Sequence, residues 1–252
     1  MNYKEVLIFD ISSEYGHFRK YNTTTSPLTY SIPTRTAIAG MLGAVLGMER
    51  EIEGGVFSEG SIPVQEFFSK KNADIAVQII NPVKKENVAI NLINTKTSFY
   101  DLTRAKHTQI EFELLKNPKY RVFLNLRDVD TFKKLGKKIK SRQHHFSPYL
   151  GLSQFTATLD FVGLEKAYLM ENKEFHLVEI HTAVSLSKLK GEQPIDFDDS
   201  AIYSANNMPI EMNKNREILE YSEVLIERNG LPLKVRTETY YKIENIANIL
   251  FL

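Results

Sequence analysis

The β-α-β-β-α-β order of apolar periods across residues 1–165 constrains the fold of this chain more than anything else in it. Lys4 to Ile11 reads as a buried strand, a helix begins near Thr34, and a β-branched run from Ile75 to Ile80 stops at Asn81-Pro82. Ile110 to Leu115 and Tyr120 to Leu126 supply two more strands. Asp128 caps a helix over Val129 to Ile139, and Phe155 to Val162 completes the series. This order predicts an α+β fold with a ferredoxin-like, RNA-recognition-like core whose helices cover one sheet face and leave the other available. Between its second and third core strands, the stretch from about Lys84 to Lys119 is too long to be structureless and predicts an inserted, projecting hairpin. Residues 166–252 read as a β-rich C-terminal module, with strands over Phe175 to Leu186, Glu220 to Glu227 and Leu233 to Ile243. Asn229-Gly230 predicts a tight hairpin before the last of these, and residues 191–209 read as an acidic surface loop.

The helix near Thr34 is unusual in three ways. Thr34 suits its N-cap and Gly47 its C-terminal stop, around an apolar stripe of Ala37, Ile38, Met41, Leu42, Val45 and Leu46. Gly40, Gly43 and Ala44 make a second face poor in side chains, which predicts close packing, because each helical Gly costs roughly 1 kcal/mol against Ala. Arg35 places a cation in the first turn, against the macrodipole, a conflict that a bound phosphate would resolve.

Composition excludes several chemistries. The chain has no cysteine, so disulfides, zinc ribbons, iron–sulfur sites and thiolate nucleophiles are ruled out. Its six histidines show no HExxH spacing, and Walker, GxGxxG and GxSxG motifs are absent, so no metal or cofactor is expected. The N-terminal apolar run is too short for a signal peptide, and the uncharged stretch 36–48 falls short of the ~20 residues of a membrane span. A net charge of +1 means that any polyanion must be held by a local patch.

Two patches stand out. No acid occurs between Glu14 and Glu49, where His17, Arg19, Lys20 and Arg35 interleave with Tyr15, Phe18, Tyr21 and Tyr30. Cations that neutralise phosphates, beside rings that stack on unpaired bases, suit single-stranded RNA. A second acid-free window, between Asp130 and Asp160, holds five lysines, Arg142, His144 and His145, and then Gly151 in a turn open to close backbone approach. Arg104, Lys106, His107 and Gln109 give the base of the proposed hairpin a positive, hydrogen-bonding character. Lys106 and His107 are also the pair from which metal-independent RNA cleavage would be built, His107 as general base and Lys106 against the developing phosphate charge.

The string PTRTAIAGMLGAVLG, preceded by YGHFRKYNTTTSPLTYSI and followed by RAKHTQ and SPYLGLSQF, resembles the signature of the CRISPR-associated Cas-five family of the RAMP superfamily, over roughly residues 3–165. The resemblance implies a cytoplasmic, noncatalytic subunit of a type I Cascade antiviral complex, closest to subtype I-B. Such a subunit grips the CRISPR RNA 5′ handle and caps the backbone filament, with backbone and large subunits as partners and target DNA near the PAM within reach. It also implies that the inserted hairpin is the family's thumb and that the handle lies near the Gly-rich helix. His17, Arg19, Lys20, Arg35, Arg104, Lys106, His107, Gln109, Arg142 and Gly151 are the RNA-contact candidates. A type I-C branch instead cleaves precursor RNA with a tyrosine and a lysine-histidine pair. Lys106-His107 resembles that pair, but Leu46 occupies the tyrosine's place.

Overall fold

The computed structural model describes residues 2–20, 26–49, 56–93 and 107–252. Its first half holds β1 (Tyr3–Ser12), β2 (Tyr15–Gly16), α1 (Arg35–Leu46), α2 (Val64–Phe67), β3 (Ala73–Ile79), β4 (Lys85–Ile93), β5 (His107–Lys116), β6 (Lys119–Leu126) and α3 (Val129–Lys140). After these come β7 (Thr158–Glu171), β8 (Leu177–Ile180), β9 (Val184–Ser185), β10 (Ile195–Asp196), β11 (Tyr203–Met212), β12 (Ile218–Glu227), β13 (Leu233–Arg236), β14 (Thr239–Ile243) and β15 (Ala247–Ile249).

The main sheet runs β15-β14-β7-β1-β6-β3. Within it, β7-β1-β6-β3 is antiparallel throughout and has the 4-1-3-2 order of a ferredoxin-like unit, as the sequence predicts. Leu7, Phe9 and Ile11 of β1 face a core shared with Ile38 and Leu42 of α1 and Phe132 and Leu135 of α3. The second face is not open. Val6 and Ile8 pack with Phe123, Ile243, Ile249 and Phe251, so the final strands and the residues after them cover the side that the element order alone leaves free. The apolar run Val6–Phe9 requires this, because alternate residues point to opposite faces and both Val6 and Ile8 on the second face are apolar.

The Lys84 to Lys119 excursion forms a hairpin in which β4 pairs with β5 from Lys85↔Leu115 to Ile93↔His107, with β2 added at the inner end of β5. The strand extends through His107 and Gln109. These two residues therefore stand on the far half of the hairpin rather than at its base, His107 roughly 20 Å along the strand from Glu113.

Beyond β7, the three-stranded sheets β10-β13-β8 and β11-β12-β9 stand apart from the main sheet. The Asn229-Gly230 hairpin does not form, since β12 pairs with β11 and β9 while β13 pairs with β8 and β10. Instead, the Glu227 carboxylate accepts the Asn229 and Leu231 N–H groups at 2.8 and 2.7 Å, turning the chain across the end of β3. Gly230, at φ +84°, stands there because an added Cβ would come 2.7 Å from the Ile79 carbonyl oxygen. Residues 191–209 are also more ordered than a loop: β11 begins at Tyr203, and Met208 is buried in the main core.

Candidate nucleic-acid interface

α1 carries both caps that its sequence predicts. The Thr34 hydroxyl accepts the Ala37 N–H at 3.1 Å, and Gly47 closes the helix in the left-handed region at φ 77°. Loop residues His145 and Phe146 complete that end by donating their N–H groups to Val45 and Ala44 carbonyls at 3.2 and 3.0 Å. The small-residue face divides in two. At Gly43 an added Cβ would lie 2.7 Å from a methyl of Val64, so α2 packs on the backbone as the sequence predicts. At Gly40 nothing stands within 4 Å of such an atom. There the helix opens onto a cleft of about 550 Å³ lined by Gly40, Gly43, Ala44, Phe68, Phe146 and Tyr149, with Arg216 and Glu211 also on its wall. A smaller cavity of about 290 Å³ adjoins it, sharing Gly40, Ala44 and Tyr149 and reaching Gly151. Phe146 and Tyr149 are 53% and 46% exposed, so two ring faces are offered beside a floor without side chains.

Arg35, read from the sequence as a phosphate ligand, is instead 2% exposed. Its guanidinium donates to the Ala73 carbonyl at 2.7 Å and to the Ile210 carbonyl at 3.5 Å, bracing α1 between β3 and β11. Burial pushes its pKa down, and the carboxylates of Glu211, Asp74 and Glu220 act against that shift. Those carboxylates offset the buried charge only in part, since Arg35 makes no ion pair among the described residues, and the residue also lines the cleft. Only Nε lacks a partner among the described residues.

His17 is likewise buried, at 3% exposure, with Nδ1 donating to the Glu113 carbonyl at 2.9 Å and its ring edge-on to Phe112. Burial lowers its pKa, more than the Glu113 carbonyl contact raises it. A folded-state pKa below the unfolded value means that the unfolded chain takes up the proton more readily, so stability falls as pH drops below about 6.5. We expect the urea midpoint to fall less between pH 7.5 and 5.5 in His17→Gln than in the parent protein.

Glu113 ties the acid-free loop to the hairpin. Its carboxylate accepts the Thr29 N–H at 2.9 Å and pairs with Lys85 at 3.2 Å, while Lys85 also donates to the Thr29 carbonyl at 2.8 Å. Arg19 bridges to Thr29, and Lys20 reaches the Asn206 side chain at 2.9 Å and lies over the Tyr30 ring. The inner end of the hairpin, Arg19 and Lys20 therefore share one region. His107 and Gln109 are exposed farther out on β5, whereas Arg104 and Lys106 lie outside the described residues. Arg142 is exposed at the end of α3 and pairs with Asp160 at 2.6 Å. Gly151, at φ +86°, lies against the His17 carbonyl oxygen, and the His17 N–H donates to the Leu150 carbonyl at 3.0 Å. Leu46, the last residue of α1, packs against the core and offers no ionisable group. Sequence reasoning missed Phe146 and Arg216 because only the fold brings the α3–β7 loop and the β11–β12 turn beside α1.

Residues 6–224 match the family described as CRISPR-associated protein (Cas_Cas5). No curated protein matches the sequence. Among solved structures, a chain of a "CRISPR RNA-guided surveillance complex" is similar, with a TM-score of 0.54 at 11% identity, covering 90% of this chain and 91% of that one. A CRISPR protein from Archaeoglobus fulgidus aligns with a TM-score of 0.50 at 12% identity, over 98% of this chain and 99% of the other.

Proposed function

Because this chain belongs to the CRISPR-associated Cas_Cas5 family, we propose that it is the subunit of a type I Cascade surveillance complex that holds the 5′ handle of the CRISPR RNA and caps the backbone filament without cutting RNA. The observation that carries this reading is the open cleft along the small-residue face of α1, in a chain of that family. Unpaired bases need ring faces and a floor that admits them closely, and Phe146, Tyr149 and Gly40 supply both. Arg216 at the wall, with Arg19 and Lys20 near the inner end of the hairpin, supplies positive charge for the connecting phosphates. The β4–β5 hairpin reaches over the guide as a thumb, with His107 and Gln109 along its outer half, and Arg104 and Lys106 are further contact candidates. Arg35 acts beneath the site by fixing where α1 begins. Leu46, in the place of the type I-C tyrosine, favours holding over cleavage, and the partners are the backbone and large subunits.

The test is a competition titration at fixed salt, handle RNA against a scrambled strand of equal length, followed by co-purification with the other Cascade subunits. A clear preference for the handle, together with recovery in the complex, is the expected result. Equal affinity for both strands would make this a general RNA binder, and cleavage of repeat RNA in EDTA would make it a nuclease.

A further inference from the structure

Arg228 directly follows β12, and among the described residues its half-buried guanidinium makes no hydrogen bond, ion pair or ring contact, with Nε buried and unpartnered. Its backbone is fixed on both sides. The Arg228 N–H donates to the Ile202 carbonyl at 2.8 Å, and its carbonyl accepts the Val83 N–H at 2.7 Å. Val83 leads into β4, so Arg228 stands at the root of the β4–β5 hairpin, two residues along the chain from Val83 to Lys85. Lys85 holds the Thr29 carbonyl and the Glu113 carboxylate. Lys20 enters from the acid-free loop: its N–H donates to the Leu28 carbonyl at 2.8 Å and its ammonium to the Asn206 side chain on β11. Three cations thus meet where the hairpin, the loop and the β11–β12 pair join. Burial pushes the Lys85 pKa down and Glu113 acts against that shift, while the charges of Lys20 and Arg228 add to the push.

The acids on the adjoining segments are engaged. Glu113 is shared between Lys85 and the Thr29 N–H, and Glu86 pairs with Lys116. Glu227, the neighbour of Arg228 in sequence, spends its carboxylate on the N–H groups of Ile202, Asn229 and Leu231. A buried donor without an acceptor costs stability, and a half-buried cation beside like charges costs more, so an anion placed here relieves both. We propose that Arg228, with Lys20 beside it and Lys85 behind, is a binding site for a phosphate group. The chemistry selects that anion. A guanidinium presents parallel N–H donors that match two phosphate oxygens, and an ammonium serves a third as a point charge. A phosphate held there ties the end of β12 to the hairpin root. None of the three residues lines the cleft beside Gly40, so the site goes beyond the function proposed above. The group comes either from a phosphodiester of a bound RNA, the source that rests on that function, or from free phosphate.

Two arms separate the sources, both on the full-length protein. In the first, inorganic phosphate replaces chloride at constant ionic strength, and the thermal midpoint of the parent should rise saturably by about 2–4 °C while Arg228→Gln shows no rise. In the second, handle RNA and a scrambled strand are titrated across a salt series. Arg228→Gln should weaken both strands alike, by roughly threefold or more at low salt, and flatten the log–log salt slope by about 0.7, because a phosphate contact is blind to sequence. The control Lys190→Gln removes one exposed charge elsewhere and should match the parent in both arms. An Arg228-dependent response to RNA assigns the site to a phosphodiester, and one to inorganic phosphate alone assigns it to the free ion. A response in neither arm, or the same change in the control, would overturn the proposal. If Arg228→Gln does not fold, Lys20→Gln must show the same losses. A parent protein with no preference for the handle would defeat the function proposed above and leave this site standing.

Discussion

Gly151→Ala is expected to cost at least about 3 kcal/mol of folding stability, read as a large drop in the urea midpoint. Two effects combine. An L-residue at φ +86° is strained by roughly 1–2 kcal/mol, and its Cβ would overlap the His17 carbonyl oxygen, which is backbone and cannot rotate aside. Relief requires the 148–151 turn to withdraw from His17. That movement breaks the His17 N–H to Leu150 carbonyl bond and loosens the histidine that anchors Glu113 and the inner end of the hairpin. Gly60 provides the reference, since it has nearly the same dihedral, φ +79°, and nothing within 4 Å of an added Cβ. Gly60→Ala should show the backbone strain alone, so the difference between the two variants isolates the overlap. Equal midpoints would mean that the turn yields freely and that Gly151 is not needed for packing.

Gly40→Leu should move stability and binding in opposite directions. The residue lies mid-helix with nothing within 4 Å of an added Cβ, so a leucine there gains helix propensity of up to about 1 kcal/mol. Its side chain projects into the cleft between Phe146 and the small-residue floor, where the handle base is proposed to sit. Handle RNA affinity should fall at least tenfold while the unfolding midpoint holds or rises. A variant that simply unfolds cannot produce that pair of results. Gly43→Leu is the contrasting case, because its Cβ meets Val64 at 2.7 Å and must push α2 away, so it should lose stability first. If Gly40→Leu binds the handle as tightly as the parent, the cleft is not the site.

What the sequence revealed is what short-range chemistry determines. Thr34, Gly47 and Asp128 are caps whose partners lie within four residues, so their roles were legible without tertiary knowledge. The inserted hairpin was legible from length alone. Arg35 shows the opposite case: its position in a first turn suggested a ligand, yet its direction depends on carbonyls at Ala73 and Ile210, the latter 175 residues away. The covered second face of the sheet has the same origin, because Ile249 and Phe251 reach Val6 and Ile8 only through the return of the chain's last strands. Asn229-Gly230 has the composition of a hairpin turn, but the Glu227 carboxylate offered its N–H groups a different closure. The two-way split of the glycine face was not readable at all, since identical residues three apart meet Val64 in one case and open space in the other.

The pairing of β14 with β7 has a consequence for synthesis. During translation the ferredoxin-like strands emerge first, and until residues 239–243 leave the ribosome the outer border of β7 has its peptide groups bare on that side. A bare strand border invites pairing with any neighbouring chain. Termination before Thr239 would therefore produce a sticky product rather than a slightly smaller protein, and expression at slow growth, where nascent chains are sparse, should favour recovery of monodisperse material.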